Sequence, residues 1–359
     1  MRRLYLSLLL LGLWPALVCA AVPARGDASR TQIDAALALP SVLREQTRER
    51  LPSVGLTDGE RVQRLLDYMI ADEGLGLRYR EQPSLDVSEA YATRQVNCLS
   101  FTLLFVAMAR TQGFDAFVQA TDQALAMELV GDTLLRATHV NAGVMIDGRE
   151  YTVDVGWRAL LAGHPPKRIS DAQAVAMLRN NEAVERLQQG DAVGAMPLIE
   201  SALALDPDSA MAWSNAGVIR SRAGQRDSAE QAYLQALKLR RTHLGALSNL
   251  VLLYRSTGAE KQRLAYEARL ERAQSQDPFT QFLIARQLVG AGAYEDAVAR
   301  YRRAIRLMPD EPAFHRGLAE AYRLQGRDSA AERSRHRADN LYSRKMRGGG
   351  VRRAEPDAG

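Results

Sequence analysis

The sequence predicts an α+β domain followed by an all-α solenoid of paired helices. Two observations carry this. Glycine recurs at Gly190, Gly224, Gly258, Gly292 and Gly326, each step being 34 residues, and other small residues keep the same register. Ahead of that repeat, an almost entirely apolar helix pattern between Cys98 and Gly113 precedes a strand-like run ending at Asp147-Gly148, a two-residue hairpin signal.

The chain opens on a secretory pattern. Basic "MRR" precedes the apolar run "LYLSLLLLGLWPALV", and Val18-Cys19-Ala20 is a cleavage site before Ala21. Residues 1–20 therefore read as a signal peptide, with an uncleaved anchor as the alternative, and the protein as exported, periplasmic or secreted. The rest of the chain has no apolar run long enough to span a bilayer. Its net charge of +5 is mild for 359 residues and lacks a dense basic block in the folded part, which argues against nucleic acid as a partner. No His-Glu-x-x-His, paired CxxC, aspartate-rich calcium loop or glycine-rich phosphate loop is present, so no metal or cofactor is expected.

Residues 21–168 form the first domain of this reading. A helix over 30–51 is interrupted at Pro40, and Thr57-x-x-Glu60 is a capping box for a helix that ends at Gly74. A short helix falls near "VSEAYATR". Asn97 caps the apolar helix and puts Cys98 at its first position. Unpaired backbone N–H groups and the positive end of the dipole there favour a thiolate and suit an oxyanion. Cys98 is also the one cysteine left once the leader is removed.

A nucleophile needs a base and an orienting acceptor. His139 lies in the strand "ATHVNAGVMI", and "EYTVDVGW" returns after the hairpin. If Ile146 pairs with Arg149, then Asn141 faces Asp154 and His139 faces Gly156, which makes His139 and Asp154 diagonal neighbours on one face. Taken singly, each has a plainer reading: Cys98 as core, His139 as a structural strand residue, Asp154 as a turn cap. Together they have the order and residue types of a thiol acyl-transfer site. Tyr79 and Gln95 are available to complete an oxyanion hole, or are structural.

"TRQVNCLSFTLLFVAMARTQGFDA", "THVNAGV" and "YTVDVGW" resemble the transglutaminase-like superfamily, a papain-related α+β fold, over residues 60–160. The resemblance implies Cys98 as nucleophile, His139 as general base and acid, and Asp154 as orienter. Val96 and Leu99 depart from the glycine and tryptophan common around that cysteine.

Over 173–346 the repeats start at 176, 210, 244, 278 and 312. Ala183, Gly217, Ala285 and Ala319 share one position; Ala195, Ala229, Ala297 and Ala331 a second; Ala202, Ala236, Ala304 and Ala338 a third. These small positions resemble the tetratricopeptide repeat, a helix–turn–helix unit that stacks into a solenoid. The middle repeat is the weakest, with Arg263 and Glu267 where an alanine and an aromatic belong. Asn181, Asn215 and Asn249 recur at the same step. The resemblance places them on the concave groove, where they either hydrogen-bond an extended peptide partner or are simply solvated. Residues 347–359 read as a disordered tail.

The combined expectation is an exported thiol acyl-transfer enzyme with a protein-binding array. The alternative is a protein-interaction scaffold whose first domain is catalytically silent.

Overall fold

The computed structural model describes residues 25–51, 55–130, 133–153 and 167–348. The expected signal peptide at 1–20 and the expected tail beyond residue 348 lie outside the described residues.

The N-terminal module begins with helices α1 (Arg25–Ala36) and α2 (Ser41–Arg50), parted at Pro40 as expected. Helix α3 (Asp58–Ile70) opens on the full Thr57–Glu60 capping box. It stops at Ile70, short of the expected Gly74, because Ala71 is extended and the turns over 71–76 take over. Strand β1 (Arg78–Tyr79), helix α4 (Val87–Thr93) and strand β2 (Gln95–Val96) lead into helix α5 (Cys98–Thr111). Asn97 caps α5, its Oδ1 accepting the Ser100 N–H at 2.9 Å, and Gly113 follows at φ 86°.

Helix α5 is the spine of this core. Leu99 through Ala109 are all buried. Phe101, Phe105, Leu103, Leu104 and Met108 are among the largest fully enclosed side chains, each contributing about 1.5–3 kcal/mol of transfer free energy. One side of α5 meets a four-stranded antiparallel sheet of order β5-β4-β3-β6: β3 (Ala116–Val130), β4 (Thr133–Ile146), β5 (Arg149–Val153) and β6 (Lys167–Ile169). The hairpin register is the expected one, with Ile146 opposite Arg149 and Ala142 opposite Val153. Asp147 and Gly148 hold φ of 50° and 72°, the left-handed pair that a tight two-residue turn needs. Val140, Ala142, Val144 and Ile146 form the core-facing row of β4, with Asn141, Gly143 and Met145 alternating between them.

Ten helices follow as five antiparallel pairs: α6 (Asp171–Gln188) with α7 (Ala192–Leu205), α8 (Ala210–Arg222) with α9 (Arg226–Leu239), α10 (Leu244–Thr257) with α11 (Glu260–Gln276), α12 (Pro278–Gly290) with α13 (Tyr294–Leu307), and α14 (Pro312–Leu324) with α15 (Asp328–Gly348). The five periodic glycines sit between the members of each pair at φ between 71° and 85°, where an L side chain is strained. Ala202, Ala236, Ala304 and Ala338 are completely enclosed, which lets neighbouring helices approach.

The weak middle repeat behaves as its sequence suggests. Helix α11 buries only Ala273, while Arg263, partly covered, pairs with Glu260 at 2.6 Å and Glu267 at 2.5 Å. The apolar interior is interrupted there, since one cluster ends with Leu270 and Ala273 and the next starts with Phe282 and Ala285. At the other end the boundary is blurred. Ala174, Val175, Ala176 and Leu178 of α6 belong to the same core as α5. Among the described residues, no helix is long and apolar enough to cross a membrane.

Candidate functional site

Cys98 is a free, half-buried thiol at the first position of α5, packed beside the module's core. His139 belongs to β4, but its side chain lies outside the described set, and Asp154 lies outside the described residues altogether. Cys98 is therefore the one member of the expected triad whose surroundings are described. Gln95 pairs with Arg78, and Val96 with Tyr79, in the short parallel β1–β2 ladder, so the segment entering α5 is fixed by backbone bonds.

The N-terminus of α5 meets the first repeat at Ser84, a residue the sequence reading did not single out. The Ser84 hydroxyl accepts from Asn97 Nδ2 at 2.8 Å and from Asn181 Nδ2 at 3.2 Å. The Ser84 N–H donates to Glu185 Oε1 at 2.8 Å. Leu85 N–H donates to Ser100 Oγ at 2.7 Å, and Gln82 Nε2 to Gln188 Oε1 at 3.1 Å. The loop 82–85 is thus wedged between α5 and α6, with the cap of the Cys98 helix and the first groove asparagine on one hydroxyl. Burial pushes the Glu185 carboxyl above its ordinary range, and the Ser84 bonds pull the other way. The Glu182 carboxyl is raised by burial too, against the lowering effect of the Arg179 ion pair.

The three asparagines of the row sit in different surroundings. Asn181 is tied to Ser84, and Asn215 is 4% exposed and donates to Asn180 Oδ1 at 2.9 Å. Asn249 is likewise 4% exposed, and among the described residues neither its Oδ1 nor its Nδ2 has a hydrogen-bond partner. Strand β4 lies against α8 and α10, the helices that carry Asn215 and Asn249. Asn215 and Asn249 are thus buried where β4 of the N-terminal module lies against their helices, and Asn181 is half-buried beside Ser84. At the next step of the ladder stands Leu283, 38% exposed.

Comparison with known families agrees with the repeat. Residues 186–254 match the tetratricopeptide repeat model, and residues 286–326 match a second model, described as TPR repeat. The chain carries tetratricopeptide repeats. The stretch between the two matches contains α11, where the signature residues are missing. Neither model reaches the N-terminal module, and no comparison supports a transglutaminase-like domain there. Among solved structures, MamA 41-end from Desulfovibrio magneticus RS-1 is 18% identical, with 47% of this chain and 96% of that one covered and a TM-score of 0.27. YrrB, titled a TPR protein with an unusual peptide-binding site, is 18% identical over 48% of this chain and 88% of its own, with a TM-score of 0.26. Scores of this size add nothing to the helical pairing described above. No curated protein matches the chain.

Proposed function

We propose that the protein is a tetratricopeptide interaction scaffold whose N-terminal α/β module closes the first three repeats and leaves the last two to a protein partner. One observation carries the reading. Along a single row of first-helix positions, Asn181 and Asn215 are spent on internal bonds and Asn249 is buried, whereas Leu283 is exposed. A repeat surface that exposes a leucine suits an extended peptide bearing an apolar side chain. The leader pattern supports an extracytoplasmic location for this scaffold.

The test is selection of peptides from a random display library on the full chain, followed by affinity measurement on Leu283→Asp. Selected peptides should bind saturably and lose about tenfold or more in Leu283→Asp, since a buried apolar anchor contributes of the order of 1.5–3 kcal/mol. Failure to enrich any peptide, or affinities untouched by the substitution, would refute the reading.

A second reading is favoured by the position of Cys98. It is a thiol accessible in part, at the first turn of a helix whose Leu99–Ala109 are all buried, in a module whose β4–β5 hairpin keeps the expected register over its described residues. In this reading the domain is transglutaminase-like. Cys98 attacks an amide carbonyl to form a thioester, His139 protonates the leaving amine, and Asp154 orients the imidazole. Alkylation by iodoacetamide near neutral pH decides it. A rate well above that of free cysteine that collapses in His139→Ala supports catalysis; a rate like free cysteine, unchanged in the variant, removes it.

A further inference from the structure

Away from the asparagine row, an open cleft of about 300 Å³ lies between α13 and α15. Leu318 and Tyr322 of α14 floor it. Arg302 comes from α13, and Arg327, Arg333 and Arg337 come from the start and first turns of α15. Arg302 Nη2 donates to the Tyr322 hydroxyl at 2.6 Å, with its guanidinium carbon 5.8 Å from the ring centroid. Arg327 lies 4.8 Å from that centroid, so two cations share one aromatic ring.

Two other arginines on α14 and α15 are neutralised in place, Arg323 by Glu320 at 2.6 Å and Arg335 by Glu332 at 2.5 Å. Those of the cleft are not. Among the described residues, Arg302, Arg327 and Arg333 form no ion pair, and Arg337 reaches Asp310 at 3.9 Å, the outer limit of one. His315 also lines the cleft, with its Nε2 hydrogen-bonded to the Pro309 carbonyl at 2.8 Å. Cations gathered without counter-charge repel one another, and an anion of matching size removes that repulsion.

We propose that this cleft binds a multiply charged phosphoryl anion, such as a diphosphate or a phosphomonoester. Guanidinium forks match phosphoryl oxygens two at a time, and a single carboxylate leaves most of the four charges uncompensated. The site is distinct from the peptide surface of the scaffold and does not depend on it.

Titration calorimetry of the full chain with inorganic pyrophosphate tests the proposal, with malonate as the carboxylate comparison. Pyrophosphate should bind saturably at one site, and Arg333→Ala and Arg327→Ala should each weaken it about tenfold, the scale of one charge-assisted contact. Arg335→Ala, on the same helix but paired with Glu332, should bind as the parent does. Circular dichroism melts establish that each variant is folded. Vesicles containing phosphatidic acid separate a lipid headgroup from a soluble ligand. Vesicle binding that pyrophosphate competes away and Arg333→Ala abolishes supports the cleft; vesicle binding that survives Arg333→Ala overturns it. Absence of saturable pyrophosphate binding, equal affinity for malonate, or loss of binding in Arg335→Ala equal to that in Arg333→Ala also overturns it.

Discussion

The close approach of α8 and α9 is the most quantitative prediction the repeats allow. At the position where three other repeats carry alanine and the middle one carries Val251, the second has Gly217, and a Cβ built there would stand 2.5 Å from Tyr233 Cδ1 and 2.9 Å from Cζ. Tyr233 is buried and central to the cluster spanning α8 to α11, so its ring has little room to withdraw. Replacing Gly217 with alanine removes the conformational cost of a helical glycine, about 1 kcal/mol in favour of the variant. It also forces a methyl into the ring, at about 1–3 kcal/mol. The net expectation is a loss of about 0–2 kcal/mol in the Tyr233 background. In a Tyr233→Leu background the obstruction is gone, and Gly217→Ala should be neutral or stabilising by about 1 kcal/mol. Urea unfolding followed by circular dichroism on the four proteins of this cycle gives the coupling, expected at about 1–3 kcal/mol. Additivity to within about 0.3 kcal/mol would refute the claim that Gly217 is glycine in order to admit Tyr233.

Three further outcomes follow from the same geometry. Ser84→Ala removes the hydroxyl shared by Asn97 and Asn181, so the folded state should lose about 1–3 kcal/mol in denaturant titration. Asn249→Leu replaces a buried amide that has no partner among the described residues by an apolar group of similar volume, and the midpoint of thermal unfolding should rise rather than fall. The Glu185 carboxyl is raised in the folded state by burial, so its contribution to stability is complete below the ordinary carboxylate range and is lost as pH rises through the folded value. Glu185→Gln keeps an oxygen acceptor for the Ser84 N–H, and comparison of melts at acidic and neutral pH should show a smaller loss towards neutrality than in the parent; an unchanged slope would contradict the assignment.

Local signals were legible wherever one segment decides its own structure. The periodic glycines mark the turns between paired helices, because a left-handed residue is needed at each. Thr57 and Asn97 are caps, and Asp147-Gly148 fixes the register of β4 on β5. Strand β3 was missed for a physical reason. Its second half, "QALAMELV", is built of good helix formers, and pairing with β4 overrides that propensity. Ser84 was invisible because its partners, Asn97, Asn181 and Glu185, are brought to it by the docking of α5 and α6. The surroundings of the asparagine row were not legible for a related reason. Its spacing identifies a helix face, but cannot show that β4 lies over α8 and α10.

The central claim is that the last two repeats hold the partner surface while the N-terminal module occupies the first three. Hydrogen–deuterium exchange of the full chain, with and without a saturating selected peptide, reads this directly. The account predicts new protection in α12 and α14 and none in α8 or α10. Protection appearing instead in α8 and α10, with β4 released to exchange, would contradict it.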